Sequence, residues 1–199
     1  MNNTQIITKE SFNGLFVFGV WIVFCWFFWG WGSFGVFIGI VGGLAWIWAY
    51  RNPERIATQQ GKDIVLAPID GYITNIEQLE NGICIHIKVG FFDVGLVRAP
   101  TSCKELSISK QAGLLAYFSP LNESLNESLH AKCKNFEMIL LPRIFRHSSF
   151  YAPIEYRAGD RIGFMKVGEV KMRVYGNIEM IARIGDKTQA GVSVIGNLR

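Results

Sequence analysis

The first 50 residues contain a long stretch without a charged side chain. No Asp, Glu, Lys or Arg occurs from Ser11 to Tyr50, although the chain of 199 residues carries 20 basic and 16 acidic residues. A run of this kind does not form the surface of a water-soluble domain. Its length is nearly twice the roughly 20 residues that one helix needs to cross a bilayer, and it is too long for a signal peptide. The run therefore belongs in lipid.

A glycine-containing segment near the middle of this run, Gly30–Ser33 ("GWGS"), predicts a turn between two short helices. The second half has the small-residue spacing that lets helices approach closely in lipid, at Gly35, Gly39, Gly42 and Gly43. We predict an N-terminal membrane hairpin over residues 1–50, either spanning or re-entrant. Arg51 and Arg55 follow the hairpin and place its ends on the cytoplasmic face of the cell (inner) membrane.

The chain has few cysteines and no dense run of basic residues. The four cysteines lack CxxC spacing, and one lies inside the apolar run, so neither a zinc motif nor a disulfide framework is indicated; they are Cys25, Cys84, Cys103 and Cys133. We therefore predict reduced thiols and no metal site. The net charge of +4 is spread among acidic residues, which does not favour nucleic acid as a partner.

The composition changes after residue 50. Short apolar runs rich in Ile and Val follow one another, each ended by Gly, Pro, Asn or Asp. They predict one α+β domain over residues 51–199 that consists mostly of antiparallel strands. The segment "SPLNESLNESLHAKCKN" differs, because its leucines at 121, 125 and 129 predict a short amphipathic helix or an ordered loop.

Four segments together carry a resemblance to a known family: "YRNPERIA", "APIDGYI", "FFDVGLVRAP" and "RIGFMKVGEVKMRV". In this order and at these separations they resemble the phosphatidylserine decarboxylase family, in its short membrane-anchored bacterial and archaeal form. The resemblance runs from about Trp46 to the end of the chain. It implies a β-rich fold with elements of a lipoyl-like hybrid barrel, and a phospholipid as the substrate.

The resemblance also implies a pyruvoyl enzyme that cleaves its own chain. In that family a serine hydroxyl attacks the carbonyl of the preceding glycine, and the serine becomes a pyruvoyl group that accepts electrons during decarboxylation. Asp70 and Gly168 match family positions in processing and catalysis. Glu169, however, stands in the place of the serine, and Gly95 stands in the place of a histidine. We therefore predict that no pyruvoyl group forms in this chain.

Three functions remain open at this point. The first is an unprocessed, inactive relative that binds the anionic head group of a membrane phospholipid through Arg98 and Lys166, or that regulates an active relative; a homo-oligomer is also open. The second is an active decarboxylase that converts phosphatidylserine to phosphatidylethanolamine and carbon dioxide by a variant mechanism. The third is a membrane-anchored hybrid-barrel adaptor, based on the "PIDG" and "GDKTQAG" turns.

Overall fold

The structure is a computed structural model that describes residues 7–55, 63–102, 104–113, 126–143, 148–151 and 155–198. The chain divides into two compact units, Met1–Glu54 and Arg55–Arg199. The first unit is helical, and the second consists of β-strands.

The N-terminal unit is a pair of helices. A short 3-10 turn, Lys9–Ser11, leads into α1 (Phe12–Trp29), and α2 follows (Phe34–Ala49). Gly30 ends α1 with a φ of 76°, a conformation that glycine adopts without steric cost, and the Ser33 hydroxyl caps α2 by accepting from the Val36 N–H. The turn thus lies at the predicted position, at Gly30–Ser33.

Close packing between α1 and α2 depends on the glycines of α2. A Cβ at Gly39 would lie 2.6 Å from Cγ1 of Ile22, and a Cβ at Gly42 would lie 2.7 Å from the ring of Phe18. The indole N–H of Trp21 donates to the carbonyl oxygen of Gly35 at 3.1 Å. The glycine spacing of α2 therefore does what its pattern predicts, which is to let the two helices approach.

The outward faces of this pair are apolar. Large side chains such as Phe16, Phe27, Trp29 and Phe34 are more than half exposed. Lys9–Trp29, with a mean hydropathy of 1.8, is the one helix in the described part of the chain that is long and apolar enough to cross a membrane, and α2 is shorter. This exterior favours lipid over water, while the insertion of the hairpin in a membrane remains a prediction.

The C-terminal unit contains thirteen described strands. They are β1 (Ile64–Leu66), β2 (Gly71–Leu79), β3 (Gly82–Val89), β4 (Leu96–Arg98), β5 (Ser107–Gln111), β6 (Ser128–Lys132), β7 (Phe136–Pro142), β8 (Ser149–Phe150), β9 (Arg161–Phe164), β10 (Gly168–Tyr175), β11 (Ile178–Met180), β12 (Lys187–Thr188) and β13 (Val194–Leu198).

Seven of these strands form the main sheet, in the order β12-β2-β3-β10-β7-β6-β5. Two smaller sheets have the orders β1-β13-β11 and β4-β9-β8. Every pairing among these named strands is antiparallel, which confirms the predicted α+β class with mostly antiparallel strands. The hybrid-barrel elements remain a prediction.

The main sheet has two chemically different faces. In β10 the side chains of Val170, Met172 and Val174 are buried in the hydrophobic core, and we call this side the core face. Glu169, Lys171 and Arg173 alternate with them and lie on the opposite side, which we call the polar face. Cys84, His86 and Lys88 of β3 belong to the polar face as well, because each lies directly across from one of these three residues.

Two expectations from the sequence are corrected by the structure. Leu129 lies in strand β6, where it pairs with Leu140, and not on a helical stripe, because alternate residues of this segment pack against β7; Leu121 and Leu125 lie outside the described residues. Cys133 is disulfide-bonded, so the expectation of four reduced thiols is wrong there. Cys25 and Cys84 are free, and Cys103 lies outside the described residues.

The contact between α1 and α2 can be tested by a cross-link. A Cβ at Gly43 would lie 3.8 Å from the Cβ of Phe18, which is about the mean Cβ separation of a disulfide. In a Cys25→Ser background, we expect the Phe18→Cys, Gly43→Cys double variant to form a disulfide on mild oxidation. The disulfide is detected in detergent as a loss of maleimide labelling of the two introduced thiols.

The matched control is Gly19→Cys with Gly43→Cys. A Cβ at Gly19 has no neighbouring atom within 4 Å, so this pair should keep both introduced thiols. Equal oxidation of the two double variants would contradict the helix contact.

Candidate active-site region

The predicted site residues come together at one end of the main sheet. Gly168, the first residue of β10, pairs with Val89 at the end of β3 and with Pro142 at the end of β7. Tyr72, near the start of β2, pairs with Lys88. Asp70, the loop after β3 and the segment before β10 therefore all lie near this end, although the sequence separates them by about 100 residues.

Asp70 is fully engaged by neighbouring groups. Its carboxylate is buried and accepts two hydrogen bonds from the guanidinium of Arg55, one to each oxygen, with Nη2 to Oδ2 at 2.7 Å. The backbone N–H of Ala190 donates to Oδ1 at 2.8 Å. A two-pronged Arg–carboxylate pair is among the stronger polar contacts in proteins. Asp70 thus joins the start of this unit to the loop before β13.

Arg98 lies buried at the end of β4. Its Nη1 donates to the carbonyl oxygen of Gly159 at 2.8 Å. The pKa of the Arg98 guanidinium is lowered to about 10. Burial is the largest cause, and the positive charges of Arg161 and Arg55 contribute to the same lowering. The group remains protonated at neutral pH. Arg98 is therefore a buried cation that is influenced by two other cations and, more weakly, by the carboxylates of Asp70 and Asp160.

Lys166 is enclosed by the loop that follows β3. Its side chain is fully buried, and Nζ donates to the backbone carbonyl of Asp93 at 2.7 Å. The same nitrogen lies 5.6 Å from the centre of the Phe91 ring, within the range of a cation–π contact. In this geometry the ammonium holds the loop against the segment before β10.

Gly95 occupies a position with no room for a side chain. A Cβ there would lie 2.7 Å from the carbonyl oxygen of Met165 and 2.9 Å from the ring of Phe164. The Met165 N–H also donates to the carbonyl of Gly95 at 2.8 Å. The backbones of Gly95 and Met165 therefore pack closely and leave no space for a side chain at residue 95.

Glu169 follows Gly168 at the start of β10 and points to the polar face. Its Oε1 lies 2.8 Å from Nδ1 of His86, and its Oε2 lies 3.7 Å from Nη2 of Arg143. The Glu169 side chain is 18% exposed. Gly168 itself is confined, because a Cβ there would lie 2.3 Å from the carbonyl oxygen of Leu141. The carboxylate is therefore held between a histidine and an arginine, beside a tightly packed backbone.

Comparison with known proteins identifies the family. The family model described as phosphatidylserine decarboxylase matches residues 44–196. The chain therefore belongs to the phosphatidylserine decarboxylase family. Among curated proteins it is similar to a phosphatidylserine decarboxylase proenzyme of Pelagibacter ubique (strain HTCC1062), with 25% identity over 188 residues, covering 80% of this chain and 84% of that protein. No solved structure matches the chain.

Membership of the phosphatidylserine decarboxylase family supports a role in phospholipid metabolism. It also confirms the resemblance stated from the motifs, which began at about Trp46. The structure assembles Asp70, Gly168 and Glu169 at one end of the main sheet. The roles of these residues, and those of Gly95, Arg98 and Lys166, remain predictions.

Sequence reasoning missed two partners of the predicted site residues. Arg55 was considered only as a charge beside the membrane, and His86 was given no role. The "PER" motif carried a signal for Arg55, since it lies within "YRNPERIA", one of the four segments that resemble the family. His86 is paired with a residue 83 positions away, and only the register of β3 with β10 brings the two together.

The Asp70–Arg55 pair yields a stability prediction. Asp70→Asn would leave the half-buried Arg55 guanidinium without its counter-charge, and we expect the free energy of unfolding to fall by about 3 kcal/mol, the lower end of the range for a broken buried ion pair. Asp63→Asn is the control, because Asp63 is exposed and should change the value by no more than about 0.5 kcal/mol. Urea unfolding of the full chain in detergent measures both. Equal stability of the two variants would contradict a stabilising role of the Asp70–Arg55 pair.

Proposed function

We propose that this member of the phosphatidylserine decarboxylase family stays an intact chain without a pyruvoyl group and binds the anionic head group of a membrane phospholipid. The observation that carries the proposal is Glu169, which follows Gly168 in the position where the family has its self-cleaving serine. A glutamate has no β-hydroxyl. It cannot form the ester that precedes a pyruvoyl group, so the residues present do not fit that group.

The surroundings of Glu169 support the same conclusion. The carboxylate is paired with His86 and Arg143 on the polar face, and the bond between residues 168 and 169 lies in a strand that is hydrogen-bonded on both edges. Asp70 accepts from Arg55 and from the Ala190 N–H. Neither acid is placed as a free base or nucleophile near that bond.

Arg98 is the better placed of the two predicted head-group contacts. It lies within the electrostatic influence of Arg161 and Arg55, and the carboxylates of Asp70 and Asp160 act on it more weakly in the opposite sense. The carboxylate of a serine head group, which a choline head group lacks, would add a counter-charge for Arg98. Lys166 is fully buried, and its amine is already directed at a backbone carbonyl, so we assign it mainly to positioning the loop after β3.

The apolar helix pair is the proposed membrane anchor, and it would concentrate the β-stranded unit where phospholipids are found. We place that unit on the cytoplasmic face because Arg51 and Arg55 follow the hairpin. The disulfide at Cys133 counts against this side, since disulfides rarely persist in a reducing compartment.

The state of the chain can be read from its mass. Under denaturing conditions we expect a single species near 22.4 kDa from the purified wild-type protein. Glu169→Ser alone should also stay intact, because residue 95 still lacks the histidine and a Cβ there would meet Met165. Denaturing mass spectrometry of both proteins after prolonged incubation measures this.

Glu169→Gln is the matched control, because it changes the same residue without adding a hydroxyl. Wild-type protein that separates into two chains would refute the absence of processing, and release of carbon dioxide from phosphatidylserine by the intact chain would establish the variant mechanism instead. Efficient cleavage of Glu169→Ser would refute the requirement for residue 95.

Head-group binding can be measured on the full chain in detergent with short-chain lipids. We expect dihexanoyl phosphatidylserine to bind at least about tenfold more tightly than dihexanoyl phosphatidylcholine, because a charge-assisted hydrogen bond contributes about 1.5–3 kcal/mol. Arg98→Gln should abolish this preference. Isothermal titration calorimetry provides both affinities.

Arg183→Gln is the control for Arg98→Gln, because Arg183 is exposed and its removal should leave the preference unchanged. Circular dichroism shows whether the Arg98 variant is folded. Equal affinity of the wild-type protein for the two lipids would refute the head-group proposal, whatever the folding of the variant.

A further inference from the structure

The polar face of the main sheet carries a cluster of three side chains that commonly bind metal ions. Glu77 of β2 lies directly across from Cys84 of β3 in the strand register. His86 follows Cys84 by two residues on the same strand, and residues two apart in a strand share a face. The ligand atoms of all three side chains lie within 4.8 Å of one another. The register alone therefore brings a carboxylate, a thiol and an imidazole together.

The protonation of the His86 ring follows from its contact with Glu169. The Nδ1 atom lies 2.8 Å from Oε1 of Glu169, and an ionised carboxylate only accepts hydrogen bonds. Nδ1 therefore carries the hydrogen, and in the neutral form of the ring Nε2 presents a lone pair. That nitrogen faces Cys84 and Glu77. A histidine ligand whose other nitrogen donates to a carboxylate is the usual arrangement at protein metal sites.

Two of the three distances within the cluster, those from His86 to each of the other ligands, are close to those of a coordination shell. Nε2 of His86 lies 3.7 Å from Sγ of Cys84 and 3.6 Å from Oε1 of Glu77. The second separation is too long for a good hydrogen bond. Around a tetrahedral zinc ion, with bonds of about 2.3 Å to sulfur and about 2.1 Å to nitrogen and oxygen, neighbouring ligands lie about 3.4–3.6 Å apart.

Two cationic side chains near Cys84, those of Arg173 and Lys171, would repel a metal ion bound there. Arg173 lies across from Cys84 in β10 and hydrogen-bonds to the Cys84 side chain. Burial is the largest effect and raises the pKa of the Cys84 thiol, with Arg173 opposing it. The positive charge of Lys171 also lowers the pKa of the Cys84 thiol. Arg173 has a second partner, because its Nη1 lies 3.4 Å from Oε2 of Glu137. It can therefore keep an ion pair while Cys84 binds a metal.

The three side chains of the cluster differ in their exposure to solvent. Cys84 is 4% exposed, whereas the side chains of His86 and Glu77 are 13% and 51% exposed. A metal ion would thus be held by a buried sulfur and would keep one side towards solvent. Three protein ligands and an open fourth position are typical of zinc sites that also bind water or a small ligand.

We propose that Glu77, Cys84 and His86 form a binding site for a zinc ion, and that Glu169 positions His86 for it. Thiolate and imidazole ligands favour zinc over magnesium or calcium. The site does not depend on head-group binding. It gives Glu169 a task on the polar face, at the position where the family has its serine.

Cobalt titration of the metal-free full chain in detergent tests the proposal. A Co²⁺ ion bound by Cys84 produces a sulfur-to-cobalt charge-transfer band, and we expect this band to saturate at one equivalent and to disappear on addition of Zn²⁺. Cys84→Ser should remove the band. Glu169→Gln should keep the band but weaken Co²⁺ binding by about 10- to 100-fold, as loss of an outer-shell partner does.

Cys25→Ser and His130→Ala are the matched controls. Cys25 lies in α1, and His130 contacts Ser128 in β6, so both variants should bind Co²⁺ as the wild-type protein does. No charge-transfer band in the wild-type protein, or an unchanged band in Cys84→Ser, would overturn the site. Unchanged affinity in Glu169→Gln would overturn the positioning role of Glu169. Circular dichroism confirms that each variant is folded.

Discussion

The pairing of β10 along both of its edges fixes the positions of the other features of the β-stranded unit. Because β3 and β7 bind this strand from Gly168 onward, alternate side chains of β10 are divided between the hydrophobic core and the polar face. Val170 and Met172 contribute to the core. Glu169 is directed away from it, towards His86. A one-residue shift in the register would bury Glu169 and expose Val170, so the apolar residues hold the acid in place.

The sequence allowed much of the fold to be predicted, for identifiable physical reasons. Strands of β-branched residues that end at Gly, Pro or Asn are local signals, and so is the glycine turn between the two helices. The leucine spacing at 121, 125 and 129 was misread because Leu129 lies in a strand that packs on β7. A spacing of four residues fits one face of a helix and one face of a strand equally well.

The candidate site was predictable only where motifs lie close in sequence or match the family. Asp70 and Gly168 were found in this way, and the structure places them at the same end of the main sheet. The Glu169–His86 pair was not found, because it depends on the register between two strands. The cluster of Glu77, Cys84 and His86 was missed for the same reason: Cys84 and His86 are near neighbours, but Glu77 joins them through strand pairing. The search for CxxC spacing does not detect such a set.

The order of the strands also bears on what a cut between residues 168 and 169 would do to a protein with this fold. Among the described residues, four strand pairings join the segment after that bond to the segment before it: β10 pairs with β3 and with β7, β12 pairs with β2, and β13 pairs with β1. Two chains produced there would remain interlocked as one folded body, in the way that fragments of a split protein reassemble. The shape and native size of such a protein would therefore not reveal whether its backbone is continuous.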